Sequence, residues 1–177
     1  MSVRAVFIGM PGSGKSTVGR LVAKALGVES RDSDEFIVER DGRTIPEIFA
    51  EDGEKGFRAI EAACVSEALA DFDGILSLGG GAVLTESTRR ALVGHPVFLI
   101  DVPADELVRR ITTSTTARPL VDDDPEVKVA QLLAEREDLY RQCAAYTVSS
   151  DSGPAWKVAR RVLDHLGENV PVEGEQP

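Results

Sequence analysis

The sequence has few cysteines, no excess of basic residues and no long hydrophobic run. Its two cysteines, Cys64 and Cys143, have no metal-ligand spacing around them, so we interpret both as apolar packing residues. With 30 acidic against 20 basic residues the net charge is -10, which argues against nucleic acid as a partner because a phosphate backbone requires a basic face. No apolar run approaches the roughly 20 residues of a membrane-spanning helix, and no signal peptide precedes the first strand. We therefore expect a soluble, cytoplasmic protein that does not associate with membranes.

Short apolar runs alternate with amphipathic stretches along the chain, which predicts an α/β fold built on a parallel sheet. The hydrophobic and charged fractions, 42% and 28%, are those of an ordinary globular protein, and 177 residues fit one domain. We predict five strands, which lie at 3–8, 28–32, 74–78, 96–102 and 146–149. We predict helices at 14–26, 35–40, 57–70, 87–93, 105–111, 126–145 and 155–166, with one or two helical turns at 45–50.

Two segments have a composition that does not hold a helix or a strand. Residues 112–125 contain five Ser or Thr, three successive Asp and two Pro, and we interpret this segment as a mobile lid. Residues 168–177 contain two prolines, a glycine and three glutamates, and we expect a disordered tail there. The predicted domain therefore spans residues 1–167.

A phosphate-binding loop follows the first predicted strand. The segment from Gly9 to Ser16 reads Gly-Met-Pro-Gly-Ser-Gly-Lys-Ser, which matches the Walker A pattern directly before a helix. Its glycines let the backbone wrap a phosphate, and the N–H groups at the helix N-terminus point toward the anion. Lys15 is placed to reach the β- and γ-phosphates, and the Ser16 hydroxyl to ligate Mg²⁺. The predicted nucleotide contacts in this loop are Gly12, Ser13, Gly14, Lys15, Ser16 and Thr17.

Three further motifs are candidates for the acceptor side of a phosphoryl transfer. Asp32 and Asp34 stand where the second strand ends, and we place Asp32 near the metal and Asp34 near an acceptor hydroxyl; a surface turn fits them equally well. Arg58 and Glu61 are i, i+3 neighbours, so the carboxylate can fix the guanidinium, although a solvated helix pair has the same spacing. The glycines at 79–81 suit close approach to a ligand, or a flexible turn.

Five motifs follow one another along the chain in an order that resembles a known family. The motifs are the Walker A loop, Asp32-x-Asp34, Gly53-Glu54-x-x-Phe57-Arg58, Gly79-Gly80-Gly81 and Arg118-Pro119-Leu120. Together they closely resemble the shikimate kinase family over about residues 3–166. The resemblance implies a monomer with a three-layer P-loop kinase fold, in which helices flank the five-stranded parallel sheet and the substrate-binding region lies at about 32–61. It also implies transfer of a phosphoryl group from MgATP to the 3-hydroxyl of shikimate, in aromatic amino-acid biosynthesis.

The resemblance assigns roles on the acceptor side. It implies that Arg58 and Arg136 hold the substrate carboxylate and that Asp34 holds the ring hydroxyls, with Gly80 and Gly81 also in contact with the substrate. An arginine can form two parallel hydrogen bonds with a carboxylate, which agrees with the assignment of the substrate carboxylate to the two arginines. Taken alone, Arg136 reads as an exposed helix charge, and only the resemblance selects it.

The resemblance also assigns the catalytic and nucleotide-binding residues. The implied catalytic residues are Lys15, Asp34 and Arg118, and the implied metal-linked residues are Ser16 and Asp32. Arg118, in the predicted lid, would stabilise the charge of the transferring phosphoryl group. Arg110 and Pro154 would contact the adenine, although Ser152-Gly153-Pro154 also fits a plain turn. Phe49 and Phe57 match apolar walls of the substrate pocket, and core packing explains them as well.

Other functions share the Walker A loop. A kinase of another sugar acid, such as gluconate, would need the same anion clamp. A nucleoside monophosphate kinase fits less well because Asp32 and Asp34 would repel a second phosphate. A P-loop switch would need a nucleotide-sensitive partner surface, whereas the placed charges here suit a carboxylate and a polyol.

Overall fold

A computed structural model of the chain describes residues 3–113 and 124–176. Within these residues the strands form one parallel sheet in the order β2-β3-β1-β4-β5. The strands are β1 (Ala5–Ile8), β2 (Glu29–Asp32), β3 (Gly74–Ser77), β4 (Val97–Asp101) and β5 (Tyr146–Ser149). The helices are α1 (Lys15–Leu26), α2 (Ser33–Asp41), α3 (Ile45–Asp71), α4 (Glu86–Ala91), α5 (Ala104–Thr113), α6 (Pro125–Cys143) and α7 (Ala155–Leu166), with a short 3-10 helix at Ala82–Leu84.

The central strands carry the main hydrophobic core. All residues of β1 and β3 are buried, and Val6 pairs in parallel register with Leu76 on one side and Val97 on the other. A strand buried along its whole length has both faces covered, so helices flank the sheet on both sides. The predicted fold, a five-stranded parallel sheet between helices, is therefore confirmed.

The strand order places the Walker A loop at a switch point of the sheet. The strands that follow β1 in the chain, β2 and β3, lie on one side of it, and β4 and β5 lie on the other. In open α/β sheets, ligands bind beyond the carboxyl ends of the strands, at the point where the strand order changes direction. The loop between β1 and α1 is therefore at the position where a ligand site is expected.

The helices differ from the prediction mainly at their ends, and α2 and α3 are two examples. Helix α2 begins at Ser33 rather than at Glu35, because the backbone N–H of Asp32 donates to the Glu35 carboxylate at 3.0 Å and starts the helix earlier. Helix α3 joins the predicted turns at 45–50 and the helix at 57–70 into 27 residues. A kink at Gly53, whose φ of 68° and ψ of -177° are outside the helical range, divides these residues into two helical parts, in agreement with the two predicted segments.

The predicted lid lies mostly outside the described residues, at 114–123. Its first two residues belong to α5, contrary to the prediction, because the hydroxyls of Thr112 and Thr113 donate to the helix carbonyls of Val108 and Arg109. Its last residue, Pro125, is the first of α6. Composition alone therefore misplaced both ends of the segment by one or two residues.

The tail that we expected to be disordered is packed where it is described. Val172 is only 4% exposed and belongs to the main core. The guanidinium of Arg160 donates to the carbonyls of Glu168 and Val170, and Lys24 pairs with Glu173 at 2.9 Å. Two apolar residues and one arginine thus anchor residues 168–176, although the composition of this segment is polar.

Candidate active site

The Walker A loop has the backbone that a phosphate cradle requires. Gly9 has a φ of 145°, and a Cβ there would lie 2.8 Å from the carbonyl oxygen of Ile100, so no other residue fits without a shift. Gly14 caps α1 in the left-handed conformation, with a φ of 87°, and no side chain caps the helix. The first N–H groups of α1 are therefore left to meet an anion in the loop.

Lys15 folds back over this loop. It is 9% exposed, and its Nζ donates to the carbonyl oxygens of Gly9 and Met10, both at 2.9 Å. Nζ also lies 3.4 Å from the Oγ of Ser13, which is itself buried. The backbone carbonyls of the loop therefore hold the positive charge of Lys15 beside the N-terminus of α1.

Ser16 and Asp32 lie in contact. The Ser16 Oγ donates to the two carboxylate oxygens of Asp32 at 2.9 and 3.1 Å, which joins the start of α1 to the end of β2. In the part of the chain that the structure describes, no group of three or more His, Cys, Asp or Glu is arranged to hold a metal. A hydroxyl and a carboxylate nevertheless suit Mg²⁺, which keeps several waters and binds phosphate oxygens rather than a full protein cage. These two residues fit the predicted metal-linked pair.

A cavity of about 430 Å³ opens between the Walker A loop and the ends of β2 and β3. It brings together most of the residues predicted for the nucleotide, the metal and the acceptor hydroxyl. Its lining includes Gly12, Gly14, Lys15, Ser16, Thr17, Asp32, Asp34 and Arg110. Residues from the Walker A loop, the Asp32-x-Asp34 motif and helix α5 therefore face one space.

Asp34 is accessible from this cavity, and its surroundings raise its pKa. The larger cause is partial removal of the carboxylate from water, and the second is the negative charge of Asp32. The positive charges of Arg58 and Lys15 act in the opposite direction. Asp34 thus lies within electrostatic reach of both the loop lysine and the predicted carboxylate-binding arginine.

Arg58 is held by Glu61, as the i, i+3 spacing predicted. Its Nη1 donates to the Glu61 carboxylate at 2.7 Å, and Glu61 is only 1% exposed. Burial raises the pKa of Glu61, while the charge of Arg58 lowers it. The Nε of Arg58 is buried and has no hydrogen-bond partner among the residues that the structure describes. Arg58 is therefore fixed at one end and keeps an unused donor.

The glycines after β3 let two arginines approach the backbone. A Cβ on Gly81 would lie 2.2 Å from the Nη2 of Arg58, and one on Gly80 would lie 3.3 Å from the Nη1 of Arg136. The side chain of Arg136 is 12% exposed, so it is not the solvated helix charge that its position on α6 suggests. We call Asp34, Arg58, Glu61, Arg136 and residues 79–81 the acceptor cluster.

Arg110 links three elements at the nucleotide end. It donates to the carbonyl oxygen of Ser13 at 3.1 Å and to that of Asp151 at 2.6 Å. Its Nε donates to Glu106 at 2.8 Å, and hydrogen bonds from Arg109 and Arg110 lower the pKa of Glu106 to about 2. A groove of about 230 Å³ runs beside this arginine, from the Walker A loop to the segment before α7.

Comparison with known proteins decides the family. The shikimate kinase family model matches residues 11–167. The chain belongs to the shikimate kinase family. A shikimate kinase of Mycobacterium avium is 49% identical over 167 residues, which is 94% of each chain. One from Mycobacterium tuberculosis H37Ra is 48% identical over 174 residues, 98% of each chain. The solved structure of Acinetobacter baumannii shikimate kinase in complex with shikimate is 35% identical, with a TM-score of 0.84 over 94% of this chain and 93% of that one.

The family resemblance inferred from the motifs is thereby confirmed, together with the activity that it implies. This member of the shikimate kinase family is an enzyme that uses ATP as phosphoryl donor to phosphorylate shikimate. The predicted alternatives, a gluconate kinase and a P-loop switch, are set aside by matches that span nearly the whole chain. Over the described residues, none of the helices has the length and apolar character needed to cross a membrane.

Several residues that were predicted to contact the substrates of the shikimate kinase site do not line the 430 Å³ cavity. Phe57 is 4% exposed and belongs to a small core cluster with Ile37, Ile48 and Cys64. Phe49 stacks on it at 4.4 Å and is 38% exposed, and neither ring lines the 430 Å³ cavity. Pro154 caps α7 between Gly153 and Ala155, which line the smaller groove. Arg118 lies outside the described residues.

Sequence reasoning missed three residues of this site. Ser33 is buried between the two aspartates, and its Oγ accepts the backbone N–H of Gly79 at 3.0 Å. Glu106 fixes Arg110, and its i, i+4 spacing on α5 was a signal that could have been used. Tyr140 contacts Gly80 across a long sequence separation, which no local pattern reveals.

Proposed function

We propose that this enzyme transfers the γ-phosphoryl group of ATP to the 3-hydroxyl of shikimate in the cavity between the Walker A loop and the acceptor cluster. The observation that carries the proposal is the position of Asp34. Its carboxylate lies in the cavity with Lys15, and the charges of Arg58 and Lys15 offset part of the rise in its pKa. The carboxylate of Asp34, which would contact the acceptor hydroxyl, therefore lies between the phosphate-binding Lys15 and the carboxylate-binding Arg58.

Arg58 and Arg136 are assigned to the carboxylate of shikimate. Both guanidinium groups lie against residues 80 and 81, and both are largely buried, at 18% and 12% exposed. Planar guanidinium groups with fixed orientation bind carboxylates through paired hydrogen bonds. Because Glu61 already holds one end of Arg58, the orientation of this arginine is set before the substrate arrives.

The donor side is assigned to the Walker A loop. Lys15 and the N–H groups of α1 would bind the β- and γ-phosphates, and Ser16 with Asp32 would hold Mg²⁺. The ion, when bound, neutralises charge on the phosphate oxygens. Arg118 is proposed, from the family resemblance, to contact the transferring group. Arg110 and Pro154 are proposed to contact the adenine from the groove beside α7.

The catalytic contribution of these residues is mainly positioning. A phosphoryl transfer with a loose transition state needs an aligned acceptor and stabilised charge more than a strong base. Asp34 would orient the 3-hydroxyl and accept its proton as the new bond forms, and its raised pKa makes it a better acceptor for that proton. We also propose that the enzyme acts as a cytoplasmic monomer, which gel filtration with light scattering would test.

A direct assay of acceptor preference tests this function. Phosphoryl transfer from ATP is followed by coupled detection of ADP, with shikimate, quinate and gluconate as alternative acceptors. We expect shikimate alone to support rapid turnover, and ³¹P and ¹H NMR of the product to place the phosphate on the 3-oxygen. A Lys15→Met variant prepared in the same way controls for contaminating kinases. Faster turnover with gluconate or quinate, or a phosphate on another oxygen, would overturn the proposal.

A further inference from the structure

Tyr140 connects helix α6 to the glycine segment of the acceptor cluster. Its side chain is 2% exposed, and its hydroxyl donates to the carbonyl oxygen of Gly80 at 2.6 Å. Gly80 follows β3, whereas Tyr140 lies near the end of α6, so this bond joins two elements that are distant in the sequence. The Gly80 carbonyl is partly buried, so removal of its hydrogen-bond donor carries a cost.

Arg136 lies one helical turn before Tyr140 on α6, so both side chains extend from one face of the helix. The guanidinium of Arg136 and the hydroxyl of Tyr140 both approach Gly80. Burial raises the pKa of Tyr140 to about 12, while the charge of Arg136 lowers it. The phenol therefore keeps its proton at neutral pH and acts as a donor to Gly80.

We propose that Tyr140 is a positioning residue for the acceptor substrate. Its bond to Gly80 sets the distance between α6 and residues 79–81, and thereby the angle at which Arg136 meets the substrate carboxylate. This inference rests on the proposed function, which assigns the carboxylate to Arg58 and Arg136. Paired hydrogen bonds between guanidinium and carboxylate depend on this angle, so a shift of α6 weakens shikimate binding and leaves the nucleotide site unchanged.

Removal of one hydroxyl tests the proposal. In the full chain, Tyr140→Phe is expected to raise the KM for shikimate about tenfold, while kcat and the KM for ATP stay within about twofold. Tyr146→Phe makes the same chemical change on β5, where the ring stacks on Phe98 and is 37% exposed, and should change none of these constants. An unchanged KM for shikimate, or equal losses for shikimate and ATP, would overturn the positioning role.

Two further variants separate this inference from the function on which it rests. Arg136→Lys should raise the KM for shikimate by itself, and failure to do so would refute the carboxylate clamp whatever Tyr140→Phe does. If Arg136→Lys has its effect and Tyr140→Phe has none, only the positioning role fails. The double variant should lose less than the product of the two single effects, because both act on one contact. A fully multiplicative loss would show that the residues act independently and would refute the proposal.

Thermal unfolding of each variant shows whether a change in its kinetic constants is due only to a loss of stability. Circular dichroism melts give the temperature range in which every variant is folded, and the kinetic constants are compared within that range. Saturating shikimate should raise the Tm of Tyr140→Phe less than it raises the Tm of the parent chain, whereas saturating ATP should raise both equally. Equal shifts with shikimate would contradict the proposal even if the variant is less stable.

Discussion

At the scale of single residues, Asp34 carries a charge that its surroundings do not favour. Partial loss of hydration and the neighbouring Asp32 both raise its pKa, and Arg58 and Lys15 compensate only in part. Groups of this kind are common where a function requires them, and they reduce the stability of the unliganded protein. Activity and stability are therefore expected to change in opposite directions at this position.

Asp34→Asn should separate the two effects. Turnover is expected to fall about a hundredfold or more while the KM for ATP stays within about twofold, because the amide cannot accept the hydroxyl proton. At pH 7 the Tm should rise slightly, because the unfavourable charge is gone and water screens part of it at this exposed residue. The exposed Asp71, at the end of α3, provides the control Asp71→Asn, for which neither change is expected.

The sign of the pH dependence follows from the raised pKa. Below the ordinary aspartate value of about 4, the carboxyl of Asp34 is protonated in both the folded and the unfolded chain and carries no penalty. The penalty develops as pH rises through this value toward the raised folded pKa, and is complete above it. Melts at pH 7 and at pH 3.5 should therefore show a Tm gain only at pH 7. An equal gain at both values would contradict the charge as its cause.

Local spacing predicted some residues of the site, and long-range packing determined the others. The pairing of Arg58 with Glu61 was predictable because both lie on one helix, one turn apart. The burial of Arg136 was not, because it depends on residues 80–81 of another element. Ser33 and Tyr140 were missed for the same reason, since each contacts that glycine segment from a distant part of the chain.

At the scale of elements, the segment after β3 is shaped by its lack of side chains. The backbone of Gly81 has a φ of -94°, which alanine also adopts, so the conformation alone does not require glycine there. The constraint is space, since a Cβ would lie 2.6 Å from the guanidinium carbon of Arg58. Because that group is the end of a flexible side chain, it can move aside at little cost to folding.

Gly81→Ala is therefore expected to displace Arg58 without unfolding the protein. The KM for shikimate should rise about tenfold or more, while the KM for ATP and the Tm change little. Steady-state kinetics with each substrate varied in turn, together with a thermal melt, measure all three. A large drop in Tm with equal loss for both substrates would mean that the methyl group disrupts the loop itself. An unchanged KM for shikimate would remove Arg58 from the acceptor site.

The elements themselves were largely predictable, and their ends were not. Apolar runs marked β1, β3 and β4, which are buried on both faces over nearly all of their length, and β5 was placed at its observed residues although most of it is exposed. The start of α3 was predictable because Thr44 and Glu47 have the i, i+3 spacing of a capping box, which the structure contains. The prediction left residues 51–56 between two helical segments, and the structure extends both segments toward a kink at Gly53.

At the scale of the whole molecule, an acidic protein must bind two anionic substrates. The net charge of -10 repels them at a distance, so binding depends on cations fixed at short range. Lys15 is held by backbone carbonyls, Arg58 by Glu61, and Arg110 by Glu106. The motifs of the sequence indicated these cations, whereas most of the carboxylates and carbonyls that hold them became visible only in the fold.

The C-terminal segment shows how the fold as a whole overrides local composition. Val172 lies in the main core although its neighbours are proline, glutamate and glycine. Val172→Ala should lower the free energy of unfolding by about 1–2 kcal/mol, because it removes buried methyl groups, and should leave both KM values unchanged. Val93→Ala is the matched control: Val93 is 80% exposed, so its truncation should cost less than about 0.5 kcal/mol. Urea unfolding measures both, and equal small losses would show that the segment does not pack in solution.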